Sequence, residues 1–102
     1  MKRRTPQQDR RVKWQREYAQ ARGEILVTRP RCERRADGCT ERPTEVHHKA
    51  GRRHPDANAH RNLAALCASC HRHIHANPTE SYEHGWLLHY EQAAGDVPRD
   101  AA

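Results

Sequence analysis

Between residues 45 and 75 the chain concentrates side chains that bind metal ions. Two adjacent histidines, His47 and His48, are followed by a Cys-x2-Cys pair and then by two histidines four residues apart. Imidazole and thiolate are the side chains that zinc and similar ions prefer at neutral pH. The set divides into four cysteines, enough for one closed tetrahedral site, and histidines that are left over for an open one.

The cysteines predict a structural zinc site. A Cys-x6-Cys pair and a Cys-x2-Cys pair are separated by 27 residues, and the turn signal Asp37-Gly38 folds the first pair back towards one ion. Two disulfides are the alternative, but in the reducing compartment that we expect for this chain cysteines are more often metal ligands. Zinc would also stabilise a thin core. The predicted ligands are Cys32, Cys39, Cys67 and Cys70.

The histidines predict a second, catalytic site for a divalent ion. His71 and His75 lie four residues apart on a predicted helix, so their rings project from one face. His47, on a strand facing that helix, would be the third ligand and would leave one position open to water and substrate. Neighbouring strand residues point to opposite faces, which leaves His48 as a general base with an ordinary pKa of about 6.5. Asn62 could fix the tautomer of His48 or could merely shape the turn.

The elements that would position these residues can be predicted from local signals. The capping-box pattern Thr5-Pro6-Gln7-Gln8 starts a helix over about 6–22, with Gly23 as its stop. Trp14, Tyr18 and Ala21 share one face of it, which we expect to pack on the core. Short strands are predicted at 24–28, 44–48, 63–66 and 86–90, the middle two forming an antiparallel pair across a loop at 50–61. Helices are predicted at 67–76 and 78–84.

Composition limits the core and suggests the partner. The 102 residues are 34% hydrophobic with no Phe, and their mean hydropathy is −1.24. The formal charge is +6, and residues 1–35 hold 12 Lys/Arg against 4 Asp/Glu. Such an arm suits the phosphates of nucleic acid, although a solvated tail is the alternative. The N-terminal segment lacks an apolar run and no segment is long enough to span a membrane, so we expect a soluble cytoplasmic protein.

The order and spacing of these motifs resemble the HNH endonucleases. The residues that carry the resemblance are Glu45-Val46-His47-His48, Asn62-Leu63 and Leu66-Cys67-x2-Cys70-His71-x3-His75. The resemblance implies that His47, His71 and His75 bind the catalytic ion, that His48 activates water and that Asn62 is the central Asn of the motif. Asn58 is a second candidate for that Asn, but Asn-Leu leading into Cys-x2-Cys-His favours Asn62. The Cys-x6-Cys spacing departs from the commoner x2 of such knuckles.

The resemblance also implies a fold class and an activity. We expect an α+β protein: a small zinc-stapled ββα-metal (His-Me finger) fold with an N-terminal basic helix. The expected organisation is a basic helix over 1–23, a nuclease domain over 24–90 with its motif core at 32–76, and a C-terminal tail over 91–102. The expected function is metal-dependent DNA hydrolysis, with structural Zn and a catalytic Mg, Mn, Ni or Zn ion. The basic residues expected to contact DNA phosphates are Arg52, Arg53, Arg72, Arg10, Arg11 and Lys13.

Two other functions are compatible with the same residues. A zinc module that only binds DNA would use the histidines for a second closed site, and an adaptor of a larger nuclease complex would not cut DNA alone. The segment from His75 to Leu88 is similar to small HNH proteins of phages and bacteria. This similarity suggests a phage-encoded or bacterial protein acting in DNA packaging or recombination, with phage terminase or another DNA-processing protein as a partner. His54, His60, His84 and His89 lack ligand spacing and are predicted to be surface or loop residues.

Overall fold

The computed structural model describes residues 3–94, which form a two-stranded antiparallel sheet between helices. The elements follow in the order α1 (Pro6–Thr28), β1 (Glu45–His48), a 3-10 turn (His60–Asn62), β2 (Leu63–Leu66), α2 (Ala68–Ala76), α3 (Pro78–Glu83) and α4 (Tyr90–Ala94). This is the small α+β architecture that the sequence predicts. Of the predicted tail over 91–102, residues 91–94 lie in α4 and residues 95–102 are outside the described part.

Helix α1 is longer than predicted. The Thr5 hydroxyl accepts from the backbone N–H of Gln8, and the Gln8 side chain accepts from the backbone N–H of Thr5, so the predicted capping box forms. Gly23 does not end the helix, and the predicted strand at 24–28 is wrong. Ile25 lies on the same face of α1 as Trp14, Tyr18 and Ala21, and it is fully buried. The free energy gained by burying it outweighs the roughly 1 kcal/mol that a glycine inside a helix costs.

The two strands pair in one register and separate the core into two halves. Glu45 lies opposite Leu66, and His48 lies opposite Leu63. Because side chains alternate along a strand, Val46 and its neighbours in β2 face α1, while the intervening residues face α2. The first half of the core contains Ala21, Ile25, Val46, Leu63 and Ala65. The second contains Cys32, Ala64, Leu66, Cys67, Cys70 and Ile74.

The free edge of β2 is covered by the segment that follows α1. The backbone N–H of Glu33 donates to the carbonyl of Ala65 at 2.9 Å, and the Glu33 carboxylate accepts from the N–H of Ala65 at 2.6 Å. The Arg29 guanidinium donates to the carbonyl of Leu63 at 2.8 Å and pairs with Glu33 at 3.0 Å. These bonds occupy backbone groups that an isolated two-stranded ribbon would leave to water.

The predicted strand at 86–90 is also wrong. The backbone N–H groups of Trp86 and Leu87 both donate to the carbonyl of Ser81 at the end of α3, which turns the chain instead of extending it. Trp86 and Leu87 pack against the half of the core that contains the cysteines. Ser81 is buried, and its hydroxyl donates to the carbonyl of Ile74, so α3 is fastened to α2. No helix within residues 3–94 combines the length and apolar character needed to cross a membrane.

Candidate metal centre

The four cysteines meet at one point, as the sequence predicts. Their sulfurs lie within 4.8 Å of one another, all four are free thiols, and the sulfurs of Cys67 and Cys39 are 3.9 Å apart. Two sulfurs at about 2.3 Å from a tetrahedral zinc would be about 3.8 Å apart. The backbone N–H groups of Thr40 and Cys70 point at the sulfur of Cys67 from 3.5 and 3.4 Å. The geometry fits a zinc ion, and the disulfides of the alternative prediction are not formed.

Hydrogen bonds prepare one of these sulfurs as a ligand. Burial raises the pKa of the Cys67 thiol, but the N–H donors of Thr40 and Cys70 outweigh burial and bring that pKa to about 5. Burial raises the pKa of Cys39 to about 12, and hydrogen bonds with the other three cysteine side chains add to this rise. The lowered pKa of Cys67 favours the thiolate, the form that binds metal. It is also the N-cap of α2, so the knuckle and the helix share one residue.

Three imidazoles, two from the same helix and one from β1, also converge. One ring nitrogen from each of His47, His71 and His75 lies within 4.8 Å of the other two, and the Nε2 atoms of His71 and His75 are 3.1 Å apart. Two nitrogens bound to one zinc are about 3.3 to 3.4 Å apart. His47 is buried, His71 is half-buried and His75 is exposed. One side of the cluster is therefore open to solvent. These residues fit a divalent ion with a free coordination position.

The second ring nitrogen of two of these histidines is held by a partner. His47 Nε2 donates to the carbonyl of Trp86 at 2.7 Å, which leaves its Nδ1 as the lone-pair nitrogen. His71 Nδ1 pairs with the carboxylate of Glu45, which leaves its Nε2 facing His75. Burial lowers the pKa of His47 to about 4, so this ring is neutral and able to bind a metal at pH 7. Glu45 is not among the functional residues predicted from the sequence, although the alternation of side chains along β1 places it on the same face as His47.

Replacing Glu45 with glutamine is expected to weaken the binding of a divalent ion at the three-histidine cluster, which we call the exchangeable ion, about 10- to 100-fold. A carboxylate behind a ligating imidazole fixes its tautomer and raises its basicity, and glutamine does neither as well. Calorimetric titration of the zinc-loaded protein with Ni²⁺ measures the effect. Glu80→Gln is the matched control, because Glu80 pairs at 3.0 Å with His73, which is outside the three-histidine cluster. Equal Ni²⁺ affinities of the two variants would show that the Glu45 contact does not support the ion.

His48 lies on the other face of β1 but reaches the same cavity. A cavity of about 280 Å³, which we call the histidine cavity, is lined by Val46, His47, His48, Gly51, Arg52, His71 and His75. His48 is 9% exposed, and its ring lies 5.6 Å from Trp14 and 5.0 Å from Tyr18 on α1. Burial lowers the pKa of His48 below its ordinary value, so the ring is neutral near pH 7. A neutral ring outside the three-histidine cluster can accept a proton.

Asn58, and not Asn62, contacts His48 within the described part of the chain. The Asn58 Oδ1 accepts from His48 Nε2 at 2.9 Å, so the proton is on Nε2 and the lone pair is on Nδ1. The Asn62 amide is fully buried and donates to the carbonyl of Asp56 at 2.9 Å, while its Oδ1 has no partner. Of the two roles open to Asn62 in the sequence, these contacts match the shaping of the loop.

The predicted phosphate-binding residues do not all lie together. Arg52 lines the histidine cavity, and Arg11 and Arg53 lie around Trp14 with it. Lys13 is 4.0 Å from Glu17, and Arg10 and Arg72 are exposed on α1 and α2 without lining either cavity. His54, predicted as a surface or loop residue, is in the loop but is buried, where its Nε2 contacts the carbonyl of Tyr90 and its Nδ1 accepts from Asp56.

Comparison with known protein families supports the resemblance to HNH endonucleases that the sequence motifs indicate. Residues 30–77 match the family model described as HNH endonuclease. No curated protein and no solved structure was found to match the chain. The matched segment spans both cysteine pairs, both strands and α2, which together carry the two candidate metal sites. Residues 30–77 of this chain are therefore similar to the HNH endonuclease family.

Proposed function

We propose that this protein is a metal-dependent DNA endonuclease in which His48 is the general base. The observation that carries the proposal is the shared cavity: three imidazoles converge on one of its walls, and His48, tied to Asn58, lines the same space. The family match supports a nuclease, and members of this family act on DNA.

The proposed reaction begins with a proton transfer to His48. The Nδ1 of His48 takes a proton from water, and the resulting hydroxide oxygen attacks phosphorus in line with the leaving 3′ oxygen. The bond between phosphorus and the 3′ oxygen breaks, and the 3′ oxygen is protonated by solvent, so the products carry 5′-phosphate and 3′-hydroxyl ends. Asn58 keeps the proton on Nε2 and stabilises the charge that His48 acquires.

The reaction would also use a divalent ion at the three-histidine cluster. His47, His71 and His75 would hold one divalent ion. When bound, such an ion supplies positive charge that neutralises the charge developing on the phosphate and its leaving oxygen. Arg52 lines the same cavity and can pair with a non-bridging phosphate oxygen. The four cysteines would hold a structural zinc that keeps α2, and hence two of the histidines, in place.

Nicking of supercoiled plasmid tests the proposal. We expect conversion to open circles when Mg²⁺, Mn²⁺, Ni²⁺ or Zn²⁺ is added, and no conversion after the exchangeable ion is removed. Protein that is folded and loaded with both ions, yet leaves the plasmid intact with all four metals, would contradict it. As a biological setting we propose DNA packaging or recombination in a bacterial cell, with terminase or a similar partner, on the sequence similarity alone.

A further inference from the structure

A second cavity adjoins the histidine cavity, and most of its lining residues lie outside the family match. This cavity, which we call the arginine groove, has a volume of about 460 Å³ and is lined by Arg11, Trp14, Gln15, Arg52 and Arg53. Arg52 also lines the histidine cavity, so the two spaces meet at that residue. Three of the five lining residues are on α1, which precedes the matched segment 30–77. The match therefore assigns no role to the side of the groove that α1 forms.

The groove is positively charged and its charges are not neutralised by the protein. Arg11, Arg52 and Arg53 are exposed, and no ion pair joins any of them to a carboxylate within residues 3–94. Two arginines near the cysteine cluster differ, because Arg29 pairs with Glu33 and Arg34 pairs with Glu80. Three like charges around one open groove repel each other unless an anion lies between them. Their arrangement therefore suits a polyanion.

Trp14 joins the groove to the proposed base. Its ring contacts Tyr18 at 5.5 Å and His48 at 5.6 Å, and the Arg52 guanidinium lies over it at 5.7 Å. A cation–π contact uses the face of the guanidinium and leaves its N–H edge free for phosphate oxygens. Arg52 is thus oriented before a ligand binds, which lowers the entropy lost on binding. One side chain of α1 supports both a phosphate contact and His48.

We propose that the arginine groove binds the phosphate backbone of the DNA strand next to the scissile phosphate. Helix α1 is then part of the substrate site. This inference rests on the proposed function for its choice of DNA, and it selects among the basic residues. Arg11, Arg52 and Arg53 would contact successive phosphates of the DNA strand as it leaves the histidine cavity. The other predicted phosphate-binding residues, Arg10, Lys13 and Arg72, do not line the groove. The groove reads phosphates and not bases, so binding is insensitive to sequence.

The salt dependence of DNA binding tests this inference. Fluorescence anisotropy of a labelled duplex of about 20 base pairs is measured without added divalent ion, between about 50 and 200 mM NaCl. Arg11→Ala and Arg53→Ala are each expected to weaken binding about tenfold and to reduce the magnitude of the log–log slope by about 0.9. Arg16→Ala is the matched control: it removes one charge from the exposed part of α1, about 140° around the helix from Arg11 and outside the groove. We expect its slope to equal that of the wild type.

The groove and the nuclease proposal can fail separately. Equal slopes for Arg11→Ala and Arg16→Ala, with unchanged thermal unfolding, would overturn the groove, whether or not the protein nicks plasmid. The same slope for Arg53→Ala as for the wild type would also overturn it. If the groove variants lose one phosphate contact each while the wild type never nicks DNA, the groove stands and the nuclease proposal fails.

Discussion

Replacing His48 with alanine is expected to slow plasmid nicking about 10²- to 10⁴-fold, the contribution typical of a general base. His48 Nδ1 is the lone-pair nitrogen of a neutral, buried ring on the wall of the histidine cavity. Without it, the water loses its proton only to bulk solvent. The rate of open-circle formation, measured at saturating protein, gives the effect directly.

Two controls separate a lost base from a disturbed fold. His84→Ala removes an exposed histidine that lines neither the histidine cavity nor the arginine groove, and we expect it to nick like the wild type. In His48→Ala, the space left by the missing ring lies beside Trp14 and Tyr18 and can admit free imidazole. Added imidazole should therefore restore part of the nicking rate. A His48→Ala protein that nicks within about threefold of the wild-type rate would remove His48 from the mechanism.

Replacing Cys67 with serine is expected to unfold the domain. Cys67 is fully buried and is the N-cap of α2, and its sulfur lies 3.9 Å from the sulfur of Cys39. Zinc binding contributes about 10 to 16 kcal/mol to the folding of small zinc domains, whereas whole domains are stable by only about 5 to 15 kcal/mol. A core with so few large side chains cannot replace that contribution. Circular dichroism should show no cooperative thermal transition, and zinc should be absent after gel filtration.

Ser69→Ala is the matched control for Cys67→Ser. Ser69 is inside the same Cys-x2-Cys loop but offers no sulfur, so its replacement should leave both zinc content and melting temperature close to those of the wild type. A Cys67→Ser protein that melts cooperatively at the wild-type temperature would show that the cysteine cluster is not what stabilises this fold.

The central part of the fold could be predicted because its residues have both local and spacing signals. The strand pair and α2 are bounded by turn residues, and the histidine and cysteine spacings agree with one arrangement of these elements. The cysteine cluster and the three-histidine cluster both form as predicted. Local propensity and metal-ligand spacing point to the same structure there, which makes prediction from one sequence reliable.

The errors arise where tertiary contacts outweigh local signals. Ile25 is β-branched and closely follows a glycine, which favours a strand, but its burial beside the sheet keeps α1 helical to Thr28. Trp86 and Leu87 read as a strand, but their N–H groups bind the end of α3. The contact between His48 and Asn58 depends on the path of the loop 49–59, which has no periodic pattern, so spacing alone does not predict this contact. The catalytic role of Asn62 stays a prediction.

The proposed mechanism requires that three imidazoles bind one ion and that His48 stays free of it. Calorimetric titration of the zinc-loaded protein with Ni²⁺ tests this requirement most directly, using wild type, His48→Ala and His71→Ala. We expect one exchangeable ion per chain in the wild type, nearly the same affinity in His48→Ala, and a loss of at least about tenfold in His71→Ala. If His48→Ala loses the ion as His71→Ala does, His48 is a fourth ligand, the site is closed, and His48 cannot be the general base.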